Sequence, residues 1–388
     1  MSGGLNPMLA RLIAGHVFLH ACMAGVRLAA PLLALRHGYS EAAVGVLLAL
    51  FALTQVFLSL PAGRYADRHG LKRPMAIATG VSIVGAGICA AYPQFVALCI
   101  GALLVGGATG AASIALQRHV GRAAASPTEL KQVFSWLAIG PAISNFIGPF
   151  AAGLVIDHGG FRLAFLLMAA LPVAGWMFVR KTPELPAVVR PPGAPASNAW
   201  DLVREPMFRR LLLVNWLLAS CWDVHTFVVP VLGHERGMSA SVIGSILGAF
   251  AIAAAVIRVL LPLIAAHVKE WAVISGAMLM TAVLFGVYPL LQSALAMGAC
   301  SVLLGIALGT VQPMVMSTLH QITPEHRHGE AVGLRMIAIN GSSVTMPMLF
   351  GVTGAIIGIA GVFWAVGVAV GCGARLAWGL RPAADQSR

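Results

Sequence analysis

Apolar stretches of roughly 18 to 28 residues recur along almost the whole chain, each able to cross a hydrocarbon core of about 30 Å as one helix. They predict spans near 9–35, 42–62, 74–92, 95–117, 131–156, 161–179, 208–232, 240–265, 271–290, 293–317, 331–351 and 354–379. Only 10% of the 388 residues are charged, against about 25% in an ordinary soluble domain, so water alone cannot be the solvent. The run beginning at Leu9 is long and lacks a small-residue cleavage site, so it is expected to be the first span and not a removed signal.

A net charge of +12 invites a nucleic-acid partner until the basic residues are placed between the spans. With a cytoplasmic N-terminus, Arg64, Arg68, Lys72, Arg73, Arg118, Arg122, Lys131, Arg180, Lys181, Arg209 and Arg210 all fall on the cytoplasmic side, whereas Arg36, Arg162 and Arg236 fall outside. That asymmetry is the positive-inside pattern, and it assigns the excess charge to topology and to anionic lipid. Nucleic acid is not needed. The six cysteines lie inside expected spans without a Cys-x-x-Cys pair, which argues against a disulfide framework or a zinc site; no cofactor is implied.

Between the sixth and seventh spans, Pro183, Pro186, Pro191, Pro192 and Pro195 precede a charged segment, Asp201 to Arg210, a composition that reads as a cytoplasmic linker. Residues 31–52 laid on 230–251, an offset of 199, match at Pro31/Pro230, Leu33/Leu232, Gly38/Gly237, Ser40/Ser239, Gly45/Gly244, Leu48/Leu247, Phe51/Phe250 and Ala52/Ala251. The same offset carries Gly106 and Gly110 onto Gly305 and Gly309, and an offset of 198 carries Pro149 and Gly153 onto Pro347 and Gly351. The chain therefore reads as an all-α polytopic membrane protein with twelve transmembrane helices in two pseudo-symmetric six-helix bundles, 1–179 and 208–388, joined by a linker at 180–207. Parallel repeats with a site near the midplane are one transporter architecture.

After the second span stands Gly63-Arg64-Tyr65-Ala66-Asp67-Arg68-His69-Gly70-Leu71-Lys72-Arg73. Gly63 permits close helix approach, Gly70 a tight turn, and Asp67 offers a carboxylate to a helix N-terminus or a basic side chain. A solvated basic loop that merely sets topology would explain Lys72 and Arg73, but not the Gly63/Asp67/Gly70 spacing. The segment resembles the cytoplasmic loop signature of the major facilitator superfamily, with Arg64 and Leu71 departing from it; together with the twelve spans and the repeat, the resemblance covers essentially the whole chain. It implies that these contacts hold the cytoplasmic side closed, with Asp67 meeting the start of the eleventh helix near Glu330 to Arg335. The equivalent segment of the second half, Pro262 to Glu270, has lost the pattern.

The fifth span carries Gly140-Pro141 and then Gly148-Pro149-Phe150-Ala151-Ala152-Gly153, which resembles loosely the glycine- and proline-rich motif of the family's antiporters, with Ala152 in place of a glycine. This motif pattern is similar to the bacterial drug/proton antiporter branch and favours export by antiport. Ordinary small-residue helix packing is the competing explanation. The basic residue usual inside the fourth helix of proton antiporters is absent around Gly101 to Gly110.

Charge inside a membrane is costly and marks function: Arg27, Asp223, Arg258 and Arg335 qualify. His16, His20, Met23 and Arg27 share one face of the first helix. Arg27, near the outer end, either lines the cavity or snorkels. Asp223 is the one carboxylate placed within the membrane and the leading candidate for coupling. His225 is either a second proton carrier or a packed core histidine, about 200° around the helix from Asp223. Arg258 and Arg335 line the cavity or snorkel, and Gln55, Asn145, Gln312 and Asn340 are candidates for hydrogen bonding.

Where the family's exporters of cationic drugs often place an acidic residue, the first half of the expected cavity offers Arg27 and no carboxylate, which favours an anionic or zwitterionic organic substrate, with protons and membrane lipids as the other partners and a monomer sufficient. The expected site is Arg27, His20, Asn145, Asp223, His225, Gln312 and Arg335, with a gating segment of Gly63, Asp67, Arg68, Gly70, Lys72 and Arg73 and a fifth-helix motif of Gly140, Pro141, Gly148, Pro149 and Gly153. His16 and His20 alone are too few to hold a metal. A polyspecific hydrophobic-drug pump, an importer or uniporter, and a non-transporting receptor remain open. No His-Glu-x-x-His, Gly-x-Ser-x-Gly or Walker lysine loop is present, so neither an intramembrane enzyme nor autonomous ATP-driven pumping is expected. The expected location is a bacterial inner membrane with both termini cytoplasmic.

Overall fold

The computed structural model describes residues 7–186, 199–238 and 240–381, and among them it contains helices and turns but no strand. The helices are α1 (Pro7–Arg36), α2 (Glu41–His69), α3 (Lys72–Ala91), α4 (Phe95–Ala123), α5 (Pro127–Leu137), α6 (Ile139–Val179), a single turn α7 (Asp201–Arg204), α8 (Pro206–Glu235), α9 (Ala240–Ile264), α10 (Glu270–Val287), α11 (Ala294–Ile322) and α12 (His328–Trp378). Ten described segments are long and apolar enough to cross a membrane. One of them, Pro127–Val179, has 53 residues and would be about 80 Å long if unbroken, more than twice what a bilayer needs. It breaks at Gly160 (φ 78°, ψ 175°), and α12, at 51 residues, breaks at Gly358 (φ 72°, ψ 169°). With those breaks, the fifth and sixth expected spans are α5 with α6, and the eleventh and twelfth are the two parts of α12.

Side-chain caps start several helices. Ser40 accepts from the Ala43 amide at 3.3 Å and Ser293 from the Ala296 amide at 3.2 Å. At the start of α5, Ser126 accepts from the Glu129 amide at 3.2 Å while Glu129 accepts from the Ala125 amide at 2.9 Å, a reciprocal pair that satisfies two donors helix geometry leaves over.

Among the described residues, those with positive φ are all glycines: Gly38, Gly70, Gly160, Gly237 and Gly358. Gly38 and Gly237 stand 199 positions apart, Gly160 and Gly358 198 apart, so the two halves share their left-handed turns as well as their residues. Helix packing repeats too. A Cβ on Gly106 would collide with the backbone of Phe51, and one on Gly305 with the backbone of Phe250. Both glycines thus let a fourth helix of a half meet its second helix at backbone distance. Pro191, Pro192, Pro195 and Ser239 lie outside the described residues, and nothing beyond backbone is described for Gly244, Pro347 and Gly351.

Two compact units emerge from the packing. The first holds Met1–Ala124, Trp136–Ala199 and Pro324–Asn340; the second holds Ala125–Ser135, Trp200–Thr323 and Gly341–Arg388. Two short segments therefore leave sequence order: the start of α5 packs with the second unit and the start of α12 with the first. The core of the first unit gathers Cys22, Val26, Leu33, Leu47, Phe51, Leu98, Val105, Phe165 and Met168 from α1, α2, α4 and α6.

Candidate functional site

Most of the expected gating segment is helix. Arg64, Tyr65, Ala66 and Arg68 continue the α2 ladder to His69, and only Gly70, at φ 74° with its amide on the Ala66 carbonyl at 2.9 Å, ends it. A polar run expected as a loop is thus the last turns of α2 plus one glycine, because nothing before Gly70 breaks the helix.

That geometry fixes Asp67. Its Oδ1 accepts from Arg118 Nε at 2.6 Å and from the Gly329 amide at 2.9 Å, and its Oδ2 accepts from the Glu330 amide at 3.0 Å. Arg118 also donates to the Asp67 carbonyl at 3.2 Å. The carboxylate therefore meets both partner types at once: a buried guanidinium, and the free amides at the start of α12, where the helix dipole favours negative charge. Arg118 is the largest fully buried side chain among the described residues, and Asp67 is its neutralising partner.

Close approach makes the contact possible. A Cβ on Gly63 would overlap the Gly329 backbone, one on Gly329 would meet the Gly63 carbonyl and both Asp67 oxygens, and one on Gly333 would meet the Ser59 carbonyl. Around this seam Arg64 pairs with Glu330 at 3.0 Å, Arg327 with Glu330 at 2.8 Å, and Arg122 with Glu325 at 2.8 Å. Arg64, a departure from the family signature, thereby gains a partner on α12. Gly70 faces Glu184, whose carboxylate accepts from the Leu71 and Lys72 amides at 3.1 and 2.6 Å and caps the start of α3. Arg68 and Arg73 are exposed, and Lys72 is half-buried.

The second unit ties its borrowed segment differently. Lys131, buried in α5, donates to the Val268 carbonyl at 2.7 Å and lies 3.9 Å from Glu270. Glu270 in turn accepts from Ser317 and Gln321 at 2.9 and 2.8 Å, and Gln132 donates to the Pro262 carbonyl at 3.2 Å. Where the first unit sets an anion on a helix start, this one sets a cation on the carbonyls beyond a helix end. The loss of the signature in Pro262 to Glu270 coincides with this change of sign.

The intramembrane candidates divide between the units. In the first, His16 is buried, shares a hydrogen bond of 2.9 Å between Nε2 and Ser113, and stands edge-on to His20 at 5.7 Å. Its Nδ1 lies against Gly140, and Gly148 meets the Ala21 carbonyl, so the fifth-helix glycines are where α6 closes on α1. Gly153, by contrast, faces open space. Pro141 and Pro149 are half-buried, and Asn145 is exposed on α6. Arg27 is exposed and has no carboxylate partner among the described residues, whereas Arg335 is buried in α12.

In the second unit, Asp223 is partly buried, with the Ser342 hydroxyl at 3.4 Å and Ser220 a further 3.2 Å from Ser342. His225 points elsewhere. It is fully buried, stacks on Phe250 at 4.0 Å, and bonds Ser301 through Nε2 at 2.9 Å; Ser301 also meets the Tyr288 hydroxyl at 2.8 Å. Arg258 donates to the Gly309 carbonyl at 3.3 Å and lies 5.7 Å from the Trp222 ring, and Gln312 is half-buried in α11. No group of three or more His, Cys, Asp or Glu side chains suited to a metal occurs among the described residues. Sequence reasoning does not reach Arg118, Glu184, Ser113 or Ser342, since a lone arginine at a helix end or a serine inside an apolar helix carries no signal until its partner is known.

Solved structures of very low identity share the fold. A bacterial homologue of the iron transporter ferroportin, in an outward-facing state, superposes with TM-score 0.80 at 14% identity over 98% of this chain and 100% of that one. The human organic anion transporter MFSD10 (TETRAN) gives 0.79 at 18% over 96% and 99%, and FucP in the outward conformation gives 0.79 at 13% over 97% and 100%. Among curated proteins, the MFS-type transporter pydD of Acremonium sp is 29% identical over 140 residues, 36% of this chain and 23% of that protein, so the chain matches less than a quarter of that relative's length. The family profile of the Major Facilitator Superfamily matches residues 12–316 and 211–388, nearly the whole length, and the chain belongs to that family of membrane transporters.

Proposed function

We propose that the chain is a proton-coupled secondary transporter of the bacterial inner membrane, with cytoplasmic termini, that exports a small anionic or zwitterionic organic solute by alternating access. The observation that carries the substrate class is Arg27. It stands exposed in a helix otherwise largely buried, with no described carboxylate to neutralise it, and a charge placed at that cost needs an anionic partner. Asp223 takes the coupling role. It is a partly buried carboxylate whose described hydrogen-bonding neighbours are the Ser342 and Ser343 hydroxyls, so it can take up and give back a proton without breaking an ion pair. His225 has its Nε2 committed to Ser301 and its ring to Phe250, which favours a packing role.

In this reading the Asp67 contact holds the cytoplasmic side closed between export events, and the proline-bearing α6, closed on α1 through Gly140 and Gly148, is the flexible packing seam. The test is sealed proteoliposomes with an imposed proton gradient and an internal pH dye, challenged with anionic, zwitterionic and cationic compounds. Wild type should move protons with an anionic or zwitterionic compound, and Asp223→Asn should not. Proton movement driven only by cations would overturn the substrate class, and radiolabelled solute crossing without proton movement would overturn the coupling.

A further inference from the structure

A seam between α10 and the second part of α12, within the second unit, joins two features that transport does not use. At one end Arg381 lies 3.4 Å from the Trp378 ring and 4.0 Å from the Trp271 ring, and the two indoles meet edge-on at 5.4 Å. Arg210 reaches over from α8 to donate to the Gly379 carbonyl at 3.3 Å, and Arg375 stands exposed one turn before Trp378. Among the described residues, neither Arg210 nor Arg375 has a carboxylate partner, and Glu270, the acid beside Trp271, is turned to Ser317 and Gln321. Tryptophans with arginines at a helix end are the composition of a membrane–water interface.

Further along the same two helices runs an apolar groove of about 470 Å³, lined by Ala282, Val283, Gly286, Trp364, Val368 and Gly371 among others. Trp364 closes it by donating to the Gly286 carbonyl at 3.1 Å. On α12 the positions 364, 368, 371, 375 and 378 recur at helical spacing, so the groove, Arg375 and the Trp378 that Arg381 covers lie on one stripe, and it is a surface stripe: Val368 is 67% and Trp378 54% exposed. At about 1.5 Å per residue the groove extends from roughly 9 to 21 Å beyond Trp378, bracketing the half-thickness of about 15 Å that an acyl chain fills.

We propose that this seam is a specific site for an anionic glycerophospholipid, its phosphate held by Arg375 and Arg381 against the two tryptophans and one acyl chain laid in the groove. Guanidinium groups match phosphate oxygens in a way that choline headgroups, which neutralise their own phosphate, do not reward. The assignment to the cytoplasmic leaflet rests on the orientation proposed above; binding itself does not, nor does it depend on transport.

The test is native mass spectrometry of the full purified chain titrated with dioleoyl-phosphatidylglycerol or dioleoyl-phosphatidylcholine. Wild type should hold the glycerol lipid at least about tenfold more tightly, the preference should vanish in R375Q/R381Q, and R375K/R381K, which keeps the charge and loses the guanidinium fork, should keep only part of it. If the double variant does not purify, R375Q alone, altered at an exposed side chain, should lose part of the preference, and Val368→Trp should weaken both lipids by filling the groove. Equal binding of the two lipids to wild type, an unchanged preference in the glutamine variants, or full competition by soluble glycerol phosphate would overturn the proposal.

Discussion

Asp67→Asn should loosen the start of α12 from the end of α2, and the size of the effect follows from the hydrogen bonds and the charge it removes. The native carboxylate accepts from Arg118 and from two backbone amides, and only 2% of the Arg118 side chain and 9% of the Asp67 side chain is exposed, so solvent cannot replace what the substitution takes away. An amide keeps one accepting oxygen but turns an NH2 group toward a donor, and it leaves a buried guanidinium without its counter-charge. Breaking a buried pair by removing one partner costs about 3–5 kcal/mol. Taking about 3 kcal/mol as the share felt locally, amide exchange at Gly329 and Glu330 should accelerate more than about a hundredfold, at about 1.4 kcal/mol per factor of ten. Hydrogen–deuterium exchange on peptides covering 324–340, in matched lipid nanodiscs, reads this directly. Replacing Arg118 by Met as well should not add a second loss of the same size, since the uncompensated charge leaves with it. An acceleration below about threefold at those amides would refute the view that Asp67 holds this helix start.

Further outcomes follow from the same packing. Arg27→Gln should raise the KM for an anionic solute at least about tenfold while leaving the melting temperature unchanged, because the side chain is exposed; Arg27→Lys should recover part of the loss, and flux assays with a melting curve separate the two effects. Gly63→Val should lower thermal stability by about 1–3 kcal/mol through its clash with the Gly329 backbone, whereas Gly153→Ala, facing open space in a helix, should be neutral or stabilising by about 0.5–1 kcal/mol; denaturation in mild detergent compares them. His225→Gln should lower the melting temperature, since it gives up the stack on Phe250, yet leave proton movement in proteoliposomes intact; abolished proton movement in a stable variant would return His225 to the coupling machinery.

Much of the fold is legible because lipid imposes a simple rule on helix length, and because the repeat leaves matching glycines at helix contacts. Gly106 and Gly305 can be paired from spacing alone, and the structure gives each the same neighbour, Phe51 and Phe250, in its own half. The partner of Asp67 is legible in part: the helix start near Glu330 follows from the dipole argument, but Arg118 does not, since its role depends on α4 passing beside α2. Helix ends are the least readable. The run from Arg64 to His69 suggests a loop, although it holds neither glycine nor proline and nothing halts the ladder before Gly70. Lys131 and Glu270 escape notice because the second half reverses the sign of the contact, and a pattern search for an acid cannot find a lysine.

The breaks at Gly160 and Gly358 have a consequence for engineering. Each is a one-residue interruption in a left-handed conformation open to glycine and strained for any other residue, with no connecting segment on either side. Epitope tags, fluorescent inserts or circular permutation points placed there would have to pry two helices apart, so both corners should reject insertions of any length. By composition, the proline-rich stretch from Pro191 to Pro195 is the place at which a reporter or a split point should be accommodated.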